Sequence, residues 1–226
     1  LVAAGYKRPL SEGFSAEWAV SHYMGTLVQR MVDPAVVKKD YALEGDFTDP
    51  GYIAALEAFA QLSKYMTEDP VSVDHTFARN AFVDGEGMLI YMQLAEIKYL
   101  ADGAGFDYSF FDMPALPGGL GDPNELTGAP EGMMISAECE NPEAAQKFVM
   151  FFINEENGGL MTKTTGELSC VKGAVNDQTI SSPKQLEAVN LILKSSNTTL
   201  WQYNAVDATV ASAFMKGGQL LLTGDM

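Results

Sequence analysis

Helix starts that can be recognised directly in the chain constrain its fold more than any other feature. Asp49 followed by Pro50 combines a side-chain cap with a residue whose φ already suits a first helical turn. Asn141, Pro142 and Glu143 repeat this signal later in the chain. Apolar residues follow both starts at helical spacing, which predicts two helices with one apolar face each. The first face comprises Ile53, Leu56, Phe59, Ala60 and Met66, and the second comprises Ala144, Ala145, Phe148, Val149 and Phe152.

Three further helices are predicted from the same kind of spacing. Asp74 is expected to cap a helix that stops near Gly85. The last helix is expected to end at Gly217 and Gly218, because glycine commonly follows the end of a helix. The apolar positions that mark these helices are Phe77, Ala81 and Phe82, then Pro183, Leu186, Val189 and Leu193, and finally Val206, Val210 and Phe214.

Short segments between these helices predict a small number of strands. Residues 87–92 and 132–137 are brief and apolar, as buried strands are, and aromatic side chains recur at every second position of residues 106–110. The segment 114–130 is rich in glycine and proline, and we interpret it as a loop or a crossing between lobes. Helices interleaved with few short strands predict an α/β fold with a small sheet.

Composition limits the size of the protein and its classes of partner. The 226 residues are 47% hydrophobic, which is enough for a sizeable core in one large domain or two small lobes. The 30 acidic residues against 14 basic ones give a formal net charge of −16, which disfavours binding to nucleic acid. No apolar run approaches the ~20 residues of a membrane helix. For Cys139 and Cys170, one disulfide and two free buried thiols both stay open.

Common catalytic motifs and metal-ligand patterns are missing from the sequence. There is no Walker loop and no Gly-x-Ser-x-Gly elbow, and the Gly-x-Gly pairs at 85–87 and 103–105 lack the third glycine of a dinucleotide site. His22 and His75 have no ligand-like spacing, so we expect no metal site and no cofactor. Both histidines are expected at the surface or flanking a helix. A glycosidase needs a pair of carboxylates, and no pair stands out among the 30 acidic residues.

Aromatic and polar residues suited to a sugar site occur in three places. Sugars present an apolar face and a rim of hydroxyl groups, so their sites combine flat rings with carboxylates and amides. Phe14 and Trp18 have the i, i+4 spacing of one helical face. Each ring could instead belong to the core. The candidates are Glu12, Phe14 and Trp18, then Tyr91 and Gln93, and finally Trp201 and Tyr203.

Four stretches of the chain, in this order, resemble the extracellular solute-binding proteins that serve sugar ABC importers. They are residues 47–59, 80–90, 106–119 and 132–152. The second stretch is similar to the family's F-x-x-G-x-A-A-M, and the third ends in P-x-x-P-G-G. The fourth contains N-P-E-A-A-x-x-F and is the most specific of the four. The resemblance extends over about residues 5–217.

The resemblance implies a periplasmic-binding-protein-like α/β fold of class II, in which two lobes joined by crossing segments close on a ligand. It also implies that the chain is a fragment lacking most of the N-terminal lobe. Residues 1–126 and 177–226 would then form the second, C-terminal lobe. Residues 127–176 would supply the crossing segment and a strand-helix piece of the first lobe.

The resemblance also implies where a ligand binds. An acid and aromatic rings are expected near the start of the chain, and Glu131 and Gly132 fall at a glycine-rich crossing. The segment 92–94 stands where the family commonly has Gly-x-Trp. The stacking tryptophan is therefore absent there, and a polar contact from Tyr91 or Gln93 is expected instead. The predicted ligand-binding residues are Glu12, Phe14, Trp18, Tyr91, Gln93, Glu131, Gly132, Trp201 and Tyr203.

On this basis we expect a non-catalytic receptor that captures a mono- or oligosaccharide outside the cytoplasm. The resemblance implies an ABC transporter permease as partner and a periplasmic or lipid-anchored location, as a lipoprotein. Membrane attachment would occur only through a segment outside the chain. A carbohydrate-active enzyme and a sensor or interaction lobe without transport are the alternatives. An enzyme would show an acid of raised pKa facing a second carboxylate, whereas a sensor lobe would show no deep cleft.

Overall fold

The computed structural model of the protein describes residues 1–224, so the last two residues of the predicted segment 177–226 lie outside the described residues. The chain separates into two compact units, and neither unit is a continuous stretch of sequence. The first unit comprises Leu1–Tyr91, Phe111–Ala129 and the chain from Lys194 onward, and the second comprises Met92–Phe110 and Pro130–Leu193.

Helices make up most of the regular structure, and one pair of short strands completes it in the described part of the chain. The strands β1 (Leu126–Gly128) and β2 (Thr198–Leu200) run parallel, with Leu126 opposite Thr198, and both lie in the first unit. The helices are α1 (Glu17–Met31), α2 (Pro34–Tyr41), α3 (Pro50–Leu62), α4 (His75–Val83), α5 (Ile97–Gly103), α6 (Pro142–Phe152), α7 (Glu155–Thr165), α8 (Pro183–Lys194), α9 (Gln202–Ala205) and α10 (Ala208–Thr223). Short 3-10 helices occupy Val2–Ala4, Ser63–Tyr65, Pro70–Ser72 and Leu94–Glu96.

Aspartate caps set where four of these helices begin. The carboxylate of Asp49 accepts a hydrogen bond from the backbone N–H two residues later at 2.7 Å, and Asp74 makes the same bond at 2.8 Å. These bonds satisfy N–H groups that have no partner inside a helix, and the predicted starts of α3 and α4 are confirmed. The same bond begins α2 at Asp33 and α10 at Asp207.

Helix α1 lies at the centre of the first unit and packs against α3 and α10. Every residue from Ala19 to Arg30 is buried, as is typical of a helix that is covered on all sides. Helix α10 can approach α1 closely because Gly218 has no side chain. A Cβ at this position would overlap Met24 Sδ and Val20 Cγ1. The glycine pair lies inside α10, which continues to Thr223 and is followed by the cap residue Gly224 with a φ of 78°, so the predicted end at the pair is wrong.

The apolar faces predicted for α3 and α4 are only partly buried. Phe59 and Phe82 are buried on these two helices, and Met66, just beyond α3, is buried as well. Ile53 and Phe77 lie on the same two helices but are exposed. A spacing pattern identifies the apolar side of a helix, whereas the width of the buried stripe depends on the neighbouring elements.

Two of the predicted strands do not form in the described structure. Residues 87–92 contribute only an isolated bridge between Leu10 and Leu89, and residues 132–137 have no strand partner among the described residues. A strand needs a neighbouring strand for its backbone hydrogen bonds, and apolar composition does not supply one. β1 lies instead within the segment 114–130, which the composition predicts to be a loop.

The third predicted strand, residues 106–110, is held by side chains of α8 without strand pairing. Lys184 Nζ donates a hydrogen bond to the backbone carbonyl of Tyr108. Glu187 accepts a hydrogen bond from the backbone N–H of Phe110 at 3.2 Å. These side-chain bonds replace the ladder that a strand would use, which is the physical reason that the prediction of a strand is wrong.

Helix α6 of the second unit begins at Pro142 as predicted, although the Asn141 side chain makes no cap hydrogen bond, and the helix buries none of its residues. Phe148 is 61% exposed and Phe152 is 39% exposed. The prediction that α6 buries one apolar face is therefore wrong for the described chain. Its apolar residues still share one side of the helix, where the rings of Phe148 and Phe152 lie 6.5 Å apart.

Candidate functional site

Three ring side chains of the first unit lie against His22, and we call these four residues the aromatic cluster: Trp18, His22, Trp201 and Tyr203. The imidazole of His22 stacks on the indole of Trp201, with ring centroids 3.9 Å apart and an angle of 18° between the planes. The imidazole lies 5.5 Å from the Tyr203 ring and 5.0 Å from the Trp18 ring. The planes of Trp201 and Tyr203 are nearly parallel, at 10°. Three larger rings therefore surround one histidine.

Two elements bring the aromatic cluster together. Helix α1 carries Trp18 and His22 one turn apart, so both side chains project from the same face. Strand β2 leads directly into Trp201, the residue before α9, and α9 packs against α1. Trp18, Trp201 and Tyr203 are partly exposed, whereas His22 is only 2% exposed. The histidine therefore lies behind three rings that solvent can reach.

The two histidines occupy more interior positions than the sequence predicts. His22 is buried within α1, so the prediction that it lies at the surface or flanks a helix is wrong. His75 does flank a helix, as the first residue of α4, but it is buried, with its ring 5.1 Å from that of Trp18. The i, i+4 spacing of Trp18 and His22 is the sequence signal that identifies their contact once a helix is placed there.

Glu12 and Phe14 lie in the interior of the first unit. Glu12 is 2% exposed, and its carboxylate accepts a hydrogen bond from the backbone N–H of Tyr91 at 2.9 Å. Burial raises the pKa of the Glu12 carboxyl well above its ordinary value, and this hydrogen bond offsets part of the rise. Phe14 packs edge-on against Tyr23 in the core. Because Phe14 precedes α1, its predicted place on one helical face with Trp18 is wrong.

A chain of polar side chains leads from Tyr91 into the first unit, and we call Tyr91, Thr26, Thr127 and Gln29 the hydroxyl chain. The Tyr91 hydroxyl lies 2.8 Å from Thr26 Oγ1, which lies 2.7 Å from Thr127 Oγ1. Thr127 donates a hydrogen bond to Gln29 Oε1 at 2.9 Å. Thr26 also donates to the backbone carbonyl of His22 at 3.0 Å, so the chain adjoins the aromatic cluster. Burial raises the pKa of the Tyr91 phenol, which therefore stays protonated at neutral pH.

The other three predicted ligand residues lie in the second unit. Gln93 begins the short 3-10 helix Leu94–Glu96, where the carboxylate of Glu96 accepts a hydrogen bond from the backbone N–H of Gln93 at 3.4 Å. Glu131 and Gly132 are exposed residues of a segment without regular structure. Ligand binding by these three residues, and by the six predicted residues of the first unit, stays a prediction.

The structure also bears on the alternatives for the cysteines and on metal binding. Cys139 and Cys170 are free thiols, the first half-buried and the second exposed, so they form no disulfide with each other. Within residues 1–224, no group of three or more His, Cys, Asp or Glu side chains is placed to hold a metal ion. None of the helices in this range combines the length and apolar character that a membrane-crossing helix needs.

Three solved structures share the fold of this chain over its whole length. The first is a chitin oligosaccharide binding protein, with a TM-score of 0.90 and 16% identity. The second comes from work on xylan utilization by the thermophilic bacterium Caldanaerobius polysaccharolyticus, with a TM-score of 0.86 and 14% identity. The third is the bacterial solute receptor AcbH, described as having an exclusive preference for β-D-galactopyranose, with a TM-score of 0.83 and 17% identity.

These similarities establish the fold but leave part of each related protein unmatched. The matches cover 100% of this chain and 57%, 59% and 57% of the three related chains, so the chain spans less than two thirds of their length. The predicted periplasmic-binding-protein-like α/β fold is confirmed. A comparison with curated protein sequences finds no significant match. A profile of the bacterial extracellular solute-binding proteins matches residues 1–159, most of the chain, and the protein therefore belongs to that family.

Proposed function

We propose that the protein binds a carbohydrate outside the cytoplasm and delivers it to an ABC importer without catalysing a reaction on it. The aromatic cluster is the observation that carries this proposal. Trp18, Trp201 and Tyr203 present partly exposed rings around a buried histidine. Flat rings of this kind stack on the C–H face of a pyranose and exclude water from it. The extracellular family supports the location.

Hydrogen-bonding groups suited to sugar hydroxyls lie next to the aromatic cluster. Tyr91 is half-buried, and its protonated phenol can both donate and accept hydrogen bonds. Carbohydrate is also the chemistry shared by the three related structures, which are described by chitin oligosaccharide, xylan and galactopyranose. The rings, the neutral hydroxyl groups and these relatives together favour a carbohydrate ligand.

A carbohydrate-active enzyme is the second candidate, and the environment of Glu12, an acid of raised pKa, argues against it. A glycosidase pairs a general acid with a second carboxylate across the scissile bond. Burial is the dominant cause of the raised pKa of Glu12, and no neighbouring carboxylate contributes to it. Glu12 is also withdrawn from solvent, with its carboxylate bound to the backbone of Tyr91. These features fit a structural carboxyl better than a catalytic acid.

We further propose that residues 1–126 and 177–226 form most of one lobe and that residues 127–176 belong to the other, a division that differs from the two compact units mainly for residues 92–110 and 177–193. The apolar face of α6 supports the assignment of residues 127–176, because Phe148, Phe151 and Phe152 are all substantially exposed. Exposed aromatic groups of this size commonly mark a surface that another part of a protein covers. A ligand that contacts both lobes then favours the closed arrangement by its higher affinity for that state.

A thermal-shift screen tests the proposed ligand class. The natural protein that contains this chain is screened against chitotetraose, xylotetraose and D-galactose, with spermidine and sulfate as ligands of other chemistry. A ligand at a hundred times its Kd stabilises the folded state by about 2.7 kcal/mol. We expect stabilisation by at least one of the three sugars and none by spermidine or sulfate. Stabilisation by spermidine or sulfate alone contradicts the proposal.

A further inference from the structure

His22 is the common contact of the aromatic cluster, although it is itself withdrawn from solvent. Its imidazole stacks on Trp201 at 3.9 Å, and its Nε2 lies 3.3 Å from the Tyr203 hydroxyl. At 2% exposure the imidazole is too deeply buried to meet a ligand. His22 can therefore affect binding only through residues that it contacts, and Trp201 and Tyr203 are among them.

The orientation of Trp201 depends on these ring contacts. The indole N–H of Trp201 is buried, and no hydrogen-bond acceptor among residues 1–224 is within reach of it. A buried indole N–H normally fixes the ring by a hydrogen bond. Trp201 lacks that restraint and is oriented by its stacking on His22 and by its near-parallel neighbour Tyr203.

Tyr203 is tied to His22 by both geometry and hydrogen bonding. The two rings lie 5.5 Å apart at an angle of 26°, and the hydroxyl is within hydrogen-bonding distance of Nε2. The backbone of His22 belongs to α1, where its carbonyl accepts a hydrogen bond from the Thr26 hydroxyl at 3.0 Å. The two partly exposed rings therefore pack against a side chain of the central helix of the unit.

We propose that His22 is a positioning residue of the carbohydrate site: it holds the rings of Trp201 and Tyr203 parallel and so raises the affinity for a sugar that it does not touch. This inference rests on the proposed function. The physical reason is preorganisation, since rings that are already held in place lose less conformational freedom when a ligand binds. A histidine with a merely structural role would change the stability of the fold and leave sugar affinity unchanged.

Three substitutions separate the contribution of ring stacking from that of the hydrogen bond between His22 and Tyr203. His22→Leu removes both the stacking and the hydrogen bond. His22→Phe keeps a flat ring against Trp201 and removes only the hydrogen bond, and Tyr203→Phe removes the other partner of that bond. Tyr65→Phe is the matched control, because Tyr65 is an exposed tyrosine outside the aromatic cluster.

Two measurements are made, one on the 226-residue chain and one on the natural protein that contains it. The first is the emission of Trp201 in the 226-residue chain, in a Trp18→Phe background, because Trp18 and Trp201 are the only tryptophans of this chain. We expect His22→Leu to shift this emission to longer wavelength as the indole becomes more hydrated, and His22→Phe to restore it. The second is calorimetry with chitotetraose, xylotetraose and D-galactose. We expect about tenfold weaker binding for His22→Leu, about fivefold weaker binding for His22→Phe and Tyr203→Phe, and no change for Tyr65→Phe.

The outcomes distinguish this inference from the proposed function. His22→Leu that is folded and binds within twofold of the wild type overturns the positioning role, even if a sugar is bound. Unchanged Trp201 emission in His22→Leu overturns it as well. A wild-type protein that binds none of the three sugars contradicts the proposed function and the link between His22 and affinity. The emission of Trp201 then decides alone whether His22 holds the ring.

Discussion

The carboxylate of Glu12 accepts a hydrogen bond from the backbone N–H of Tyr91 at 2.9 Å, and both groups lie in the first unit. This bond joins the beginning of the chain to the residue that starts the hydroxyl chain. The Glu12 side chain is only 2% exposed, and this burial raises the pKa of its carboxyl. Ionisation of Glu12 therefore opposes folding.

The substitution Glu12→Gln is expected to remove the destabilisation that ionisation of Glu12 causes in the folded state. Because the folded-state pKa of Glu12 is raised, its contribution to stability is fully present below the unfolded pKa and is lost as the pH rises through the folded pKa. The amide of glutamine can still accept from Tyr91 and does not ionise. We expect the free energy of unfolding of Glu12→Gln to exceed that of the wild type by an amount that grows as the pH rises from about 4.3 to the folded pKa and is constant above it. Urea unfolding at several pH values measures this.

The control for this experiment is Glu44→Gln, since Glu44 is an exposed glutamate of the same unit. It should leave the pH dependence of unfolding unchanged. A Glu12→Gln protein whose unfolding curves follow the wild type at every pH would show that Glu12 ionises without cost in the folded state.

Two adjacent glycines of α10 are predicted to respond to alanine in opposite ways. A Cβ at position 218 overlaps Met24 and Val20 of α1, whereas a Cβ at position 217 meets no atom within 4 Å. Gly218→Ala should therefore lower the free energy of unfolding by about 1–3 kcal/mol through overpacking. Gly217→Ala should raise it by about 0.5–1 kcal/mol, because alanine favours a helix. Denaturant unfolding compares the two, and equal effects would refute the close approach of the helices.

The helix starts could be predicted from the sequence because their cause is local. Asp49 and Asp74 cap helices with N–H groups two residues away, so the signal and the structure share the same few residues. Strands depend on partners that are distant in the chain. β1 pairs with β2 some 70 residues later, and residues 106–110 bind side chains of α8. Composition within a segment contains no information about such partners.

The rings of the candidate site could be predicted from the sequence, but the histidine that they contact could not. Trp18, Trp201 and Tyr203 could be chosen for their ring chemistry, and the structure brings these three together. His22 could not be chosen, because its importance arises from its contact with Trp201, which lies 179 positions further along the chain (201 minus 22). Glu12 could be identified as an acid, but its burial depends on a bond to Tyr91 across the fold.

The exposed face of α6 is predicted to make the isolated 226-residue chain self-associate. Phe148 and Phe151 are more than 60% exposed, and water-exposed aromatic groups associate with one another. The double substitution Phe148→Ser and Phe151→Ser should shift the chain towards the monomer in sedimentation velocity. Leu193→Ser, at an exposed residue of α8, is the control and should not do so. If the wild type and the double variant associate equally, α6 is not the surface through which the chains self-associate.

The two-lobe mechanism predicts that the isolated chain binds sugar more weakly than the natural protein that contains it. A site with one wall missing leaves part of the sugar in water and loses several hydrogen bonds of about 1 kcal/mol each. We expect a loss of at least a hundredfold in affinity, measured by calorimetry with the same sugar. Equal affinities would place the whole site within this chain and would contradict closure of two lobes around the ligand.

Calorimetry on the natural protein and its Trp201→Ala variant tests the central claim most directly, using chitotetraose, xylotetraose and D-galactose. Trp201 is partly exposed and stacked on His22, so its removal deletes one face of the proposed sugar platform. We expect binding of at least one sugar by the wild type and at least about tenfold weaker binding by Trp201→Ala. Phe77→Ala, which removes an exposed ring outside the aromatic cluster, should bind like the wild type. A Trp201→Ala protein that keeps the wild-type affinity, or a wild type that binds none of the three sugars, would contradict the account.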